Sequence, residues 1–211
     1  MVLDEHRDAV DPILTRLARQ LQNINPDSIS WVALIFAFVG GIFFYLSSPE
    51  EELNNYFLFI AVLFVFLNGL FDALDGKIAK LANKTSLRGD FLDHALDRFA
   101  DVFIVGGLAL SLWVRPSIGL IAVTGVLLTS YMGTQAQAVG YQRVYAGLLG
   151  RADRLALLMI IPILQHMTLR ISFQLPYDIS VLEAMMIYFA IMGNITAVQR
   201  FYSTLRWFKQ K

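Results

Sequence analysis

The stretch FDALDGKIAKLANKTSLRGDFLDHALD, Phe71 to Asp97, decides how this chain is read. It lies between two apolar runs, YFLFIAVLFVFLNGL before it and FIVGGLALSLWV after it. Four aspartates, Asp72, Asp75, Asp93 and Asp97, therefore stand at the mouths of two apolar segments. Carboxylates this close to hydrocarbon repel one another and resist desolvation, so they must hold protons or find positive partners.

The surrounding composition makes the same point on a larger scale. Of 211 residues, 56% are hydrophobic and only 16% are charged, with a mean hydropathy of +0.56. A soluble domain carries about 25% charged residues. The expected class is therefore all-α, a polytopic membrane protein with six transmembrane helices, since each span needs about 20 apolar residues. The spans are read as Ile29–Ser47, Asn54–Leu81, Phe91–Val114, Ser117–Val139, Arg154–Thr168 and Ile179–Arg206, the fifth broken by Pro162 and carrying Gln165 and His166. The expected organisation is one membrane domain over 1–211, with an interfacial helix in 1–25 and the six-helix bundle in 27–208. Cysteine is absent, which excludes disulfide and thiol chemistry. The polar opening, with Asp4, Glu5, Asp8 and Asp11, does not read as a cleavable signal.

Val10, Ile13, Leu14, Leu17 and Leu21 recur at helical steps, which predicts an amphipathic helix ahead of the first span. It either lies in the membrane interface or packs on the ends of the bundle. Asp27 or Ser28 is expected to cap the first span. Basic residues fall on alternate connections. Arg7, Arg16 and Arg19 precede the first span; Lys77, Lys80, Lys84 and Arg88 follow the second; Arg143, Arg151 and Arg154 follow the fourth; Arg200, Arg206, Lys209 and Lys211 close the chain. The opposite connections hold only Arg115 and Arg170, with PEEEL in one of them. The positive-inside rule puts both termini and the aspartates in the cytosol.

Asp72 and Asp75 share one helix face, and Asp93 and Asp97, four apart, share another. The short loop between them places both pairs at one depth. All-oxygen ligands suit Mg²⁺ or Mn²⁺, and no His or Cys cluster competes. Two such cations held by carboxylates serve phosphoryl chemistry. Simple pairing with Lys77, Lys80, Arg88 and Arg98 accounts for charge at an interface, but not for the small residues Gly76 and Ala79 beside the acids. A cation or proton pathway, as in a transporter, is a second alternative. The outer halves of the spans offer it few polar steps.

The pattern Asp72-x2-Asp75-Gly76-x2-Ala79-Lys80-x8-Gly89-x3-Asp93-x3-Asp97 resembles the signature of the CDP-alcohol phosphotransferase family. One position departs, since Lys80 stands where the family usually has Arg and lacks its fork. The resemblance implies transfer of a phosphatidyl-type group from a CDP-linked lipid to an alcohol, with release of CMP. It implies two Mg²⁺ or Mn²⁺ held by Asp72, Asp75, Asp93 and Asp97, with Asp97 also the general base. It further implies a nucleotide and diphosphate pocket from Gly76, Ala79, Lys80, Asn68, Gly89 and Ser30, with Ser30 equally readable as an ordinary helix-start serine. A homodimer among membrane lipids is implied, and no nucleic acid partner.

Asp90 and Asp101 lie outside the signature, and Asp101 is expected to pair with Arg98 or a neighbouring helix. His94 is read as a core or interfacial histidine facing away from the metal acids. Arg143, Arg151, Arg154 and Arg200 are candidates for an acceptor phosphate, because guanidinium binds phosphate in a bidentate way. GRADRL and NITAVQR are similar to members that transfer onto inositol phosphate, and GTQAQAVG to the archaeal branch that uses CDP-archaeol. The expected donor is thus CDP-archaeol or CDP-diacylglycerol and the expected acceptor myo-inositol phosphate, with glycerol phosphate the rival. Gly106, Gly107 and Gly119 are read as sites of close helix packing or of a dimer seam.

Overall fold

The computed structural model describes residues 7–49, 56–142, 144, 147–170 and 176–210. Among these residues seven α-helices form and no strand does. They are α1 (Arg7–Gln20), α2 (Pro26–Leu46), α3 (Phe57–Leu81), α4 (Leu87–Ala109), α5 (Pro116–Ala138), α6 (Arg151–Arg170) and α7 (Val181–Gln210). A short 3₁₀ turn, Pro176–Asp178, precedes α7.

Five of them, α2, α3, α5, α6 and α7, are long and apolar enough to cross a membrane. The remaining helix of the bundle is α4, with 23 residues, read from sequence as the third of six spans. Its first two thirds carry Asp90, Asp93, Asp97, Arg98 and Asp101, which interrupt the apolar run. Each of α2 and α3 packs on the other, and α2 also packs on α4. Contacts α4–α5, α5–α7, α7–α6 and α6–α3 then close a ring of six helices. The main core fills it with Phe44, Leu58, Leu108, Leu158, Leu182, Met186 and Phe189, all at most 2% exposed.

Small residues set the closest approach. A Cβ on Gly107 would lie 2.1 Å from the carbonyl oxygen of Gly41, and one on Gly41 would lie 2.1 Å from that of Phe103. The backbones of α2 and α4 therefore touch at a crossing only glycine permits. Gly119 packs likewise on Ala109, whereas Gly106 faces open space. Of the three glycines read as a seam, Gly107 and Gly119 thus serve packing within the chain.

The amphipathic helix α1 lies outside the ring against α3. Ala18 is buried with Ile29, Leu74 and Ile78, and Leu14, Leu17 and Leu21 pack around them. Ile13 instead stays 64% exposed. Asp11 of α1 forms an ion pair with Lys77 of α3.

Three local expectations are corrected. The cap of α2 is Asn25, whose side chain accepts from the backbone N–H of Asp27 at 3.1 Å, rather than Asp27 or Ser28. Pro26 at the first helical position needs no donor partner, which favours this start. The helix α6 begins at Arg151 and continues through Pro162 to Arg170, because neighbouring helices compensate a proline inside a span. Finally, α4 ends at Ala109, short of Val114; Trp113 turns inward, its indole N–H donating to Ser47 at 2.9 Å.

At that end of the bundle Arg115 is fixed by Glu183, at 2.8 Å from Nε and 3.1 Å from Nη2, and Gln165 accepts from the backbone of Leu182 at 3.1 Å. The acidic constellation lies at the other end.

Candidate metal centre and active site

The start of α2, the end of α3 and the starts of α4 and α6 converge on one small cavity. Ser30 and Ala33 of α2 line it, with Asn68, Asp72 and Asp75 of α3, Asp93 and Asp97 of α4, and Arg151 of α6. All four aspartates expected from spacing are thus brought together. The helix hairpin that carries them is closed by local chemistry. Ser86 caps α4 by accepting from Gly89 N–H at 3.0 Å, and Asn83 takes a positive φ of 52° in the connection. Asparagine tolerates this conformation better than most side chains.

One oxygen each from Asp72, Asp75 and Asp93 lies within 4.8 Å of the other two. One ligand atom each from Asp93, His94 and Asp97 forms a second such group. Asp93 is common to both, as expected of an acid shared between two adjacent cation positions. The donor set is almost wholly carboxylate, which suits Mg²⁺ or Mn²⁺. Asp97 is buried, and its Oδ1 meets Arg151 only as an ion pair at 2.6 Å, without hydrogen-bond alignment. That oxygen already sits beside a positive group, the setting a cation ligand needs. His94 corrects the expectation that it faces away: its ring lies 3.3 Å from Asp93 and 3.4 Å from Asp90.

Ser30 Oγ donates to Asp75, 45 residues away, and lies 3.2 Å from the Pro26 carbonyl oxygen. Asn68 is 2% exposed and donates to the Ala33 carbonyl at 2.9 Å, leaving its own buried Oδ1 without a hydrogen-bond partner. A Cβ on Gly76 would meet nothing within 4 Å, so open space lies over α3 there. Ala79 is half-buried one turn on, and Lys80 is exposed. A Cβ on Gly89 would lie 3.3 Å from Ser86 Oγ, so this glycine also accommodates the cap.

The four candidate arginines separate. Arg151 sits among the acids, its two terminal nitrogens 2.9 and 3.1 Å from the oxygens of Asp72. Arg154, 2% exposed, places Nη2 3.0 and 2.8 Å from the two oxygens of Asp101. Arg200 is buried between α5 and α7 and donates to the Thr129 carbonyl at 2.8 Å. Arg143 lies outside the described residues. The connection into α6 is anchored on α7, where Thr196 accepts from Leu148 and Leu149 N–H at 3.1 and 3.2 Å.

Two residues outside the signature belong to this neighbourhood. Arg98 lies 3.2 Å from Asp97 and 3.4 Å from Asp101. Asp101 is 8% exposed and meets both Arg98 and Arg154, so it pairs within its helix and across to α6. The i, i+3 and i, i+4 spacing of Asp97, Arg98 and Asp101 carried the first link. Nothing local signalled the second.

These features define a multi-pass helical membrane protein with a carboxylate pocket suited to divalent cations. A family model described as CDP-alcohol phosphatidyltransferase matches residues 23–198, and the chain belongs to this family of enzymes. The archaetidylinositol phosphate synthase of Pyrococcus horikoshii is 26% identical to it over 161 residues, covering 75% of this chain and 81% of that relative. The phosphatidylinositol phosphate synthase of Cutibacterium acnes is 28% identical over 205 residues, covering 93% and 92%. Among solved structures, phosphatidylinositol phosphate synthase from Mycobacterium tuberculosis with CDP-DAG bound superposes with a TM-score of 0.69 at 25% identity, covering 92% of this chain and 94% of that one.

Proposed function

We propose that the protein transfers a lipid phosphoryl group from a CDP-linked lipid to myo-inositol phosphate and releases CMP. The observation that carries this reading is the meeting of four aspartates and Arg151 in one cavity at the mouth of the bundle. The similarity to synthases of archaetidylinositol phosphate and phosphatidylinositol phosphate supports the acceptor. The donor is CDP-archaeol or CDP-diacylglycerol, in keeping with relatives of both kinds.

In this reading Asp72, Asp75, Asp93 and Asp97 hold two Mg²⁺ or Mn²⁺. Bound there, the cations would neutralise the diphosphate and stabilise the leaving CMP. Open space over Gly76 and the half-buried Ala79 receives the nucleotide, with Lys80 and Gly89 at its rim and Asn68 and Ser30 beneath. Ser30 orients Asp75 through its hydroxyl. Asp97 accepts the proton of the acceptor hydroxyl as that oxygen bonds to the lipid-linked phosphorus and the bond from this phosphorus to the CMP oxygen breaks.

Arg151 grips a phosphate in this cavity, exchanging Asp72 for a ligand oxygen. Arg143 is proposed as a further acceptor contact from its sequence alone, whereas Arg200, buried on the Thr129 carbonyl, is better placed to support the bundle than to touch the acceptor. Arg154 is committed to Asp101, which favours a supporting role over direct contact with the acceptor. The whole chain acts as one catalytic unit, working as a homodimer. Its termini and acids are cytosolic, where nucleotide and polar acceptor are available. Measurement of CMP release with donor, acceptor and cation varied one at a time tests the proposal.

A further inference from the structure

Asp101 is absent from the metal signature, yet it is buried one turn beyond Asp97 on the same helix. Its carboxylate lies 3.4 Å from Arg98 Nη1 and takes Nη2 of Arg154 on both oxygens. The other terminal nitrogen of Arg98 already rests 3.2 Å from Asp97. Two buried or half-buried cations therefore stand beside the acids proposed to hold metal. Asp101 is the anion that holds Arg154 and that shares Arg98 with Asp97.

This arrangement answers an electrostatic problem. A guanidinium without an anion is costly in a buried setting, so it moves to the nearest carboxylate. For Arg98 that carboxylate is Asp97. An arginine closed on Asp97 competes directly with a divalent cation for the same oxygens. We infer that Asp101 is a positioning residue that holds Arg98 to a single contact with Asp97, so that the guanidinium does not close on that carboxylate with both terminal nitrogens and the cluster can bind divalent cations. Arg154 starts in the first turn of α6, three residues after Arg151, so the same pair also sets where Arg151 enters the cavity. The inference rests on the metal-binding reading of the four aspartates.

The test is binding of Mn²⁺ alone to the full-length protein in detergent or nanodiscs, read by the loss of the free-ion paramagnetic resonance signal. Asp101→Asn should weaken Mn²⁺ binding by about tenfold or more. Asp101→Glu should retain most of the affinity, and Asp101→Asn with Arg98→Gln should recover it, which loss of a merely structural contact would not do. Unchanged affinity in Asp101→Asn, or no recovery in the double variant, overturns the inference. If Asp101→Asn does not fold, Arg154→Met decides. It leaves Asp101 to Arg98 alone, so Mn²⁺ should bind at least as tightly as in the parent, and weaker binding overturns the inference. Asp72→Asn and Asp97→Asn serve as controls. Mn²⁺ binding that survives both would remove the metal site itself, whereas their failure to bind beside an unaffected Asp101→Asn removes only the role of Asp101.

Discussion

Arg151 lays two guanidinium nitrogens on the two carboxylate oxygens of Asp72, at 2.9 and 3.1 Å, across 79 residues of sequence. It ties the start of α6 to the end of α3 and brings a fixed positive charge into the acid pocket. The pairing is an internal rehearsal of phosphate recognition, since a phosphate offers the same pair of oxygens to the same fork.

Arg151→Gln should therefore lower kcat/KM for a phosphorylated acceptor by about 10- to 100-fold, the loss of a charge-assisted hydrogen bond. Arg151→Lys should recover only part of this, because an ammonium lacks the planar fork. Steady-state CMP release at varied acceptor concentration measures both. Parent-like values in Arg151→Gln would take this residue out of phosphate binding.

Ser30 touches Asp75 but belongs to α2, so it supports one of the acids proposed to hold metal from outside the acidic hairpin. Groups that orient metal ligands are worth about 10- to 100-fold in affinity or activity when removed. Ser30→Ala should fall in that range, and Ser30→Thr should keep the hydroxyl and most of the activity. A Ser30→Ala variant with undiminished Mn²⁺ binding and turnover would reduce Ser30 to an ordinary helix-start serine.

The crossing of α2 and α4 positions Ser30 against the acids of α3 and α4. A methyl at Gly107 would meet the Gly41 carbonyl, whereas one at Gly106 would meet nothing within 4 Å. Gly107→Ala should cost about 1–3 kcal/mol through forced separation of the helices. Gly106→Ala should be neutral or slightly stabilising, since alanine is the better helix former. Thermal unfolding in detergent compares them, and equal midpoints would contradict the close crossing.

The native chain has no cysteine, so single cysteines report sidedness without background. Lys84 and Ser117 are exposed at opposite ends of the bundle. Lys84→Cys should react with an impermeant maleimide only in inverted vesicles, and Ser117→Cys only in right-side-out ones. The reverse pattern would place the acids outside the cell.

What could be read from sequence, and what could not, follows the range of the interactions. The spacing of Asp72, Asp75, Asp93 and Asp97 is a local helical signal, so the convergence of these acids was legible. So was the amphipathic face of α1, because Leu14, Leu17 and Leu21 obey the same periodicity. The arginines were legible only as charge. Arg151, Arg154 and Arg200 face three different partners, chosen by how α6 and α7 enter the ring. Asp101 was legible as a partner of Arg98 or of a neighbouring helix; that the helix is α6 and the residue Arg154, 53 residues away, was not. Pro162 looked like a break because its local cost is plain while the neighbouring helices that offset it are not. Asn25, Asp27 and Ser28 are all good caps by residue type, and Pro26 at the first helical position decides between them.

The central claim is that this pocket moves a lipid phosphoryl group onto a phosphorylated polyol, and CMP release tests it most directly. Purified protein in mixed micelles would be given CDP-archaeol or CDP-diacylglycerol, with inositol phosphate, inositol, glycerol phosphate or serine in turn. CMP should appear only with Mg²⁺ or Mn²⁺, fastest with inositol phosphate, and Asp97→Asn should release none while unfolding like the parent. Release that proceeds without a divalent cation, or that prefers serine or free inositol, would contradict the account.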